Sequence, residues 1–173
     1  MQLATKIVRK GKPDEFDYTY GGYPEARKAV QHPYDEKMWI GGIAALLKLP
    51  KEVDAIVSLC RVKDVDLPAG VKQLDVRLID REGQNENPNL DFVLLDTVRA
   101  IEQLRAEGRT VFVHCVQAAS RTPTIAALYG ARKQGIDIDD ALRDVLAVLP
   151  EANPNADFRA ALRRLHPTLG DAP

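Results

Sequence analysis

The residues with the most evident chemistry stand in one stretch, Val111 to Thr124, which reads VFVHCVQAASRTPT. Val111, Phe112 and Val113 form a short apolar run of strand-forming types. His114 and Cys115 end that run, and five residues, Val116 to Ser120, follow. Arg121 and Thr122 then open a helix, with Pro123 in its first turn, where a missing N–H costs little. The order predicted is strand, tight loop, helix N-terminus. Backbone N–H groups of such a loop converge on one spot, and the helix dipole adds positive potential there. An anion fits the spot, and a thiol placed in it is favoured as the nucleophilic thiolate. Arg121 adds a planar fork of donors matched to phosphate oxygens. The chemistry predicted is attack on a phosphate ester. Cys115 is the nucleophile, and Val116, Gln117, Ala118, Ala119, Ser120 and Arg121 bind the substrate.

The stretch resembles the HCx5R(S/T) signature of the cysteine-dependent protein tyrosine phosphatases, and the spacing of the other elements resembles the dual-specificity branch. The resemblance implies hydrolysis of phosphomonoesters through a phosphocysteine intermediate, on phosphorylated protein or a small phosphorylated substrate. It also gives His114 the role of holding the loop, and Thr122 that of donating a hydroxyl hydrogen to the Cys115 sulfur. One departure stands out. The family usually reads HCxAGxSR or HCxAGxGR, and here Gln117-Ala118 replaces the Ala-Gly pair. Glycine relieves strain in such loops. Ala118 therefore tightens the entrance or tilts the loop, and Gln117 adds a side chain able to contact substrate.

A thiolate displacing an ester oxygen needs that oxygen protonated, and a carboxylic acid on a nearby loop can do this and later activate water. Asp80 fits, because it directly follows a predicted strand and opens the polar run REGQNENPN, and its separation of 35 residues from Cys115 resembles that of the dual-specificity branch. Glu82 and Glu86 are the alternatives, while Asp75 sits in mid-strand and Asn85 and Asn87 read as turn residues. Cys60 ends IVSLC as Cys115 ends VFVHC. IVSLC resembles a segment of the phosphoinositide 3-phosphatase branch, which implies Cys60 as a redox partner of Cys115. His32, beside Pro33, and His166 read as exposed. With the three histidines scattered, neither a metal site nor a cofactor is expected.

These groups need a scaffold. MWIGGIAAL, from Met38, resembles the strand and turn that open the dual-specificity core. Ala44 to Leu49 reads as a short helix ended by Pro50, Val53 to Cys60 as a buried strand, and Lys72 to Ile79 as an alternating strand. Leu90, Val93, Leu94, Val98, Ile101 and Leu104 recur at helical spacing behind Asn89 as cap, and Gly108 ends that helix. A strand from Arg109 to His114 and a helix over 122–134, stopped by Gly135, frame the loop. Asp137 or Asp139 caps the next helix, and Asn153-Pro154-Asn155 leads into a last one with Phe158, Leu162 and Leu165. This NPNxxF stretch again resembles the dual-specificity branch. The class predicted is α/β: a central, mostly parallel sheet flanked by helices on both faces, with the site at the carboxyl ends of the strands.

Residues 1–37 read as an N-terminal extension packed on the core, with Phe16, Tyr18, Tyr20 and Tyr23 around Gly21-Gly22. Residues 38–166 form the phosphatase domain and 167–173 a tail, the whole being a single domain. With 45% hydrophobic and 28% charged residues, the 173-residue chain has a globular composition. A net charge of −1 gives no argument for nucleic acid or an anionic membrane. No apolar run reaches the length of a membrane span, and two cysteines do not make a disulfide framework, so a reducing cytoplasm is expected. Oligomeric state is open. Three other readings stand beside the protein phosphatase: a phosphatase of phosphoinositides, nucleotides or RNA ends, a phosphate-binding module without turnover, and a rhodanese-type sulfurtransferase.

Overall fold

The computed structural model describes residues 28–62, 69–83 and 85–166. Phe16, Tyr18, Tyr20, Tyr23 and the tail 167–173 lie outside those residues. Five strands form one sheet: β1 (Val30–His32), β2 (Asp35–Gly42), β3 (Ala55–Ser58), β4 (Lys72–Asp75) and β5 (Val111–Cys115), in the spatial order β1-β2-β5-β3-β4. Only the β1–β2 hairpin pairs antiparallel; β2–β5, β5–β3 and β3–β4 are parallel. The mostly parallel sheet is thus as expected. Residues 30–37 belong to it, so a boundary at 38 falls inside β2. β5 occupies the centre because VFVHC is buried at every position. Apolar side chains on both faces suit a strand with neighbours on both sides.

Strand alternation divides the core in two. Met38, Ile40, Ala55, Val57, Val111 and Val113 face α1 (Leu90–Ala106), α2 (Arg121–Gln134), α3 (Ile138–Val148) and α4 (Ala156–Leu165). Ile56 and Phe112 face the other way, onto Ile43, Ala45 and Leu46 of a 3-10 helix (Ile43–Lys48). The expected flanking is therefore unequal among the described residues: four α-helices on one face, one short 3-10 helix on the other. Ala44 to Leu49 is six residues of helical propensity, too few for a stable α-helix without further turns.

α2 lies against the sheet centre and buries ten consecutive residues, Thr122 to Ala131. Gly135, at φ 64°, closes it in the left-handed conformation that glycine adopts freely. Asp137 caps α3 by accepting from the Asp139 N–H, which decides between the two expected caps. Asn89 occupies the cap position of α1 without a side-chain bond.

The end of the sheet remote from Cys115 is held by a buried polar cluster. Asp35 accepts from Arg105 Nε at 2.8 Å, Arg105 Nη2 at 3.1 Å and the Tyr129 hydroxyl at 2.6 Å. Burial pushes the Asp35 carboxyl up, but these donors and the Lys37 N–H outweigh it and hold it at about 2. His32 is part of this region. It is 3% exposed, correcting the expectation of an exposed loop histidine. Its Nε2–H donates to the Ala126 carbonyl at 2.9 Å, and its Nδ1 accepts from the Tyr34 N–H at 3.1 Å. Both ring nitrogens are satisfied only in the neutral form. His166 is half-buried beside Asp137, with Nε2 3.3 Å from the carboxylate.

Candidate active site

β5 delivers Cys115 to the carboxyl edge of the sheet, and its neighbours fix the start of the following loop. Gly42 pairs with Cys115, and the Ile43 N–H donates to the Val116 carbonyl at 3.1 Å. On the other side the Leu59 N–H donates to the His114 carbonyl at 2.8 Å. Gly41 is needed here, since a Cβ at that position would stand 2.9 Å from the Lys28 carbonyl oxygen and 3.3 Å from the Phe112 ring.

The loop from Val116 to Ser120 has three of its carbonyls hydrogen-bonded to the protein. Val116 O accepts from Ile43, Ala119 O from the Asn153 N–H at 2.6 Å, and Ser120 O from the Thr124 N–H and hydroxyl. Its N–H groups do the opposite: none from Val116 to Ser120 donates to a protein acceptor among the described residues. Ser120 begins α2 without a side-chain cap bond, so the first N–H groups of that helix are open as well. The result is a run of unpaired donors beginning next to the thiol.

Arg121 completes the run. Its Nη1 donates to the carbonyls of Leu59 at 3.3 Å and Leu78 at 3.1 Å, so the guanidinium is anchored to the ends of β3 and the chain beyond β4. Nε is buried without a partner. An unpaired buried donor costs about 1–3 kcal/mol, and an oxyanion at that position removes the cost.

Beneath the loop, His114 is buried and stacks on Phe112 with ring centroids 5.4 Å apart. Its Nδ1 lies 3.3 Å from the Cys115 carbonyl and its Nε2 2.8 Å from the Ser58 hydroxyl. A carbonyl only accepts, so Nδ1 carries the hydrogen and Ser58 donates to Nε2. Burial pushes the imidazole down to about 4; the Cys115 carbonyl works against this and Arg121 with it. His114 is thus a neutral strut between β3 and the loop. Thr122 differs from expectation: its hydroxyl donates to the Gly41 carbonyl at 3.2 Å rather than to the Cys115 sulfur. Thr122 is fully buried at the start of α2, and its hydroxyl finds an acceptor across on β2.

Asp80 lies on the segment after β4 and accepts from Asn155 Nδ2 at 3.0 Å. The two alternatives to it separate here. Glu82 accepts from the Ala156 N–H at 3.0 Å and so belongs to the start of α4, while no bond ties Glu86 to the catalytic loop. Asn87 spans the segment by donating to the Ile79 carbonyl and accepting from the Ile79 N–H, the turn role expected of it. Ser120 accepts from the Asn155 N–H at 3.0 Å, a bond invisible in the sequence because its two ends are far apart in the chain.

The sequence profile described as "Dual specificity phosphatase, catalytic domain" matches residues 42–167. The chain belongs to this family. It is 33% identical over 94 residues to dual specificity protein phosphatase 1 of Arabidopsis thaliana, covering 54% of this chain and 46% of that protein. Mouse protein phosphatase Slingshot homolog 3 is 31% identical over 139 residues, 80% of this chain and 20% of its own length. This chain therefore spans less than half of either relative. Mouse dual specificity phosphatase 28 is 27% identical over 136 residues, 76% of this chain and 81% of that protein. Among solved structures, a variant of human DUSP28 superposes with a TM-score of 0.70 at 25% identity, over 82% of this chain and 96% of that one.

Against the family pattern, Ala118 stands where glycine is usual and still takes a left-handed backbone, φ 56°. An L-residue there costs roughly 1–2 kcal/mol. Ala118 is buried and packs in the main core, which offsets part of that cost.

Cys60 and Cys115 are both free thiols; Cys115 ends β5, and Cys60 lies two residues beyond the end of the adjacent strand β3. Cys60 packs in the Phe112 cluster and Cys115 in the other. Burial pushes the Cys60 thiol up to about 12, Cys115 adds to the rise and Arg121 opposes it.

The depressed His114 makes stability pH-dependent. A histidine in an unfolded chain titrates near 6.5. Below that pH the unfolded chain takes a proton that the fold refuses until about 4. The contribution is full above pH 6.5 and declines toward pH 4 by about 3 kcal/mol. Denaturant melts should give a lower midpoint at pH 5 than at pH 7.5, with a shallower drop in His114→Gln.

Proposed function

We propose that this domain is a cysteine-dependent phosphomonoester hydrolase acting on phosphorylated protein. The observation that carries the reading is the loop after Cys115: the Val116, Ala119 and Ser120 carbonyls accept from the protein, while the loop N–H groups and the Arg121 Nε donate to no acceptor among the described residues. The phosphate oxygens take these donors, which presents phosphorus to the Cys115 thiolate. The S–P bond forms as the ester P–O bond breaks, and the Asp80 carboxyl gives its proton to the leaving oxygen. Asp80, now a carboxylate, takes a proton from water. The resulting hydroxide attacks phosphorus, the P–S bond breaks, and inorganic phosphate leaves with the thiolate restored.

Protein substrates are supported by the relatives named as protein phosphatases and by the surface beside Asp80. A cleft of about 410 Å³ lined by Gly83, Asn87, Asp91, Phe92, Asp157 and Arg164 adjoins the Asp80 segment, and Phe92 is 68% exposed on its wall. An open, mostly polar cleft with one exposed aromatic side chain on its wall offers hydrogen-bonding groups and an apolar contact to residues flanking a phosphorylated side chain. Oxidation of Cys115 to a sulfenic acid needs a peroxide from outside this scheme, and burial, which keeps the Cys60 thiol protonated, opposes its capture by Cys60.

The test compares an ester of a poor leaving group, phenyl phosphate, with dinitrophenyl phosphate, whose phenolate departs unprotonated. Asp80→Asn is expected to slow the first by roughly two to four orders of magnitude and to change the second little. Equal losses on both esters would move the acid elsewhere. The strain at Ala118 favours a second reading, a domain that binds phosphate without turnover. Stabilisation by phosphate with no hydrolysis of either ester would select it.

A further inference from the structure

We infer that Asn155 is the positioning residue that sets the Asp80 carboxyl in register with the catalytic loop, an inference resting on the acid role proposed for Asp80. Besides the helical bond from the Arg159 N–H to its carbonyl, Asn155 makes three bonds in three directions. Its N–H donates to Ser120 Oγ at 3.0 Å, its Oδ1 accepts from the Phe158 N–H at 3.0 Å, and its Nδ2 donates to Asp80 Oδ1 at 3.0 Å. The bond to Phe158 is the N-cap of α4 and fixes the amide plane: with Oδ1 on a donor, Nδ2 faces Asp80. One residue, through its backbone N–H on Ser120 and its side-chain amide on Asp80, thus ties the loop that carries the nucleophile to the segment that carries the acid.

The bond also selects an oxygen. An amide nitrogen has no lone pair to accept with, so while Nδ2 holds Asp80 Oδ1, the hydrogen of the protonated carboxyl sits on Oδ2. Asn155 therefore leaves Oδ2 as the atom that donates to the leaving group and later takes the proton of water. The surrounding bonds keep the arrangement stiff. Glu82 accepts from the Ala156 N–H at 3.0 Å, the Gly83 N–H donates to Asp157 at 2.8 Å, and the Asn153 N–H donates to the Ala119 carbonyl at 2.6 Å. The start of α4 acts as a bracket, with Asn155 at its centre.

Asn155→Asp separates positioning from capping, since aspartate caps a helix as well as asparagine does but turns an oxygen instead of a donor toward Asp80. Phenyl phosphate and dinitrophenyl phosphate are the probes. Asn155→Asp is expected to lower kcat on phenyl phosphate by roughly 10- to 100-fold, the scale of a small misplacement of a reacting group, and to lower it far less on dinitrophenyl phosphate. In Asp80→Asn the further change Asn155→Asp is expected to cost less than threefold on either ester, because its effect runs through Asp80. Equal losses on both esters, or a full loss added on top of Asp80→Asn, would overturn the inference and leave Asn155 as a support of the catalytic loop alone. If Asp80→Asn has no effect on phenyl phosphate, the acid assignment itself fails, which is a different result. Asn155→Ser, which keeps the cap with a shorter side chain, is expected to show the same selectivity between the esters. Uniform loss in it would likewise count against the inference.

Discussion

Cys115→Ser loses phosphatase turnover, by at least about 10⁴-fold, the scale on which enzymes lose rate with their nucleophile, yet still binds inorganic phosphate. The serine hydroxyl is not ionised near neutral pH and no base stands ready for it: His114 keeps its Nδ1–H on the Cys115 carbonyl and receives the Ser58 hydroxyl on Nε2. The anion site does not depend on the sulfur. Its donors are the open backbone N–H groups of the loop and the unpartnered Nε of Arg121. Cys115 is buried and the substitution is nearly isosteric, so the loop has no reason to collapse. Two measurements check this: single-turnover hydrolysis of an aryl phosphate and the thermal shift given by phosphate. A ligand at a hundred times its Kd raises stability by about 2.7 kcal/mol. The variant should keep that shift while the parent rate disappears. Turnover near the parent value would remove Cys115 from the mechanism. Loss of the phosphate shift with the fold intact would remove the cradle from it.

Arg121→Lys is expected to fall almost as far, by roughly three to five orders of magnitude, the range over which an arginine acts in phosphoryl transfer. Charge is conserved, so the loss is one of geometry. Arg121 serves two sides at once, with Nη1 on the carbonyls of Leu59 and Leu78 and Nε open to the anion. An ammonium is a single point and cannot hold both carbonyls while presenting parallel donors to phosphate. The two carbonyls released lie among buried neighbours, so the variant also loses some stability. kcat, KM and a thermal melt, taken together, read both consequences. A lysine variant with more than a tenth of the parent kcat would mean that charge alone is enough.

Cys115 and Arg121 were legible in the sequence because their relation is local: six positions, one turn type and one helix start contain it. The sequence puts Asp80 just after a strand over Lys72–Ile79, whereas β4 ends at Asp75 and Asp80 is held instead by Asn155. What escaped depends on contacts between segments distant in the chain. His32 looks like a loop residue beside Pro33, and nothing near it announces the Ala126 carbonyl that receives its hydrogen, 94 residues away. Thr122 looks placed for the Cys115 sulfur, but β2 brings the Gly41 carbonyl closer. Asn155 could be read as a cap from Asn-Pro-Asn and the following helix, whereas its bonds to Ser120 and Asp80 exist only once α4 has docked. The short 3-10 helix shows the limit of propensity. Ile43–Lys48 has helical composition, but length and the sheet beneath decide the form.

The order of strands in the sheet has a consequence for how the molecule acquires its site. Cys115 is set by a partner on each side, Gly42 of β2 and the chain leaving β3, and both precede it by long stretches of sequence. Asp80 is then held by a helix that follows β5. No contiguous part of the chain contains the site. During synthesis Cys115 emerges after its supports and before the bracket that holds Asp80, so a nascent chain ending before α4 has the thiol without that bracket. Pairings of this sort close large loops, which makes their formation slow compared with the local helices. In refolding, helical signal is therefore gained early, whereas competence waits for the central pairing and for α4.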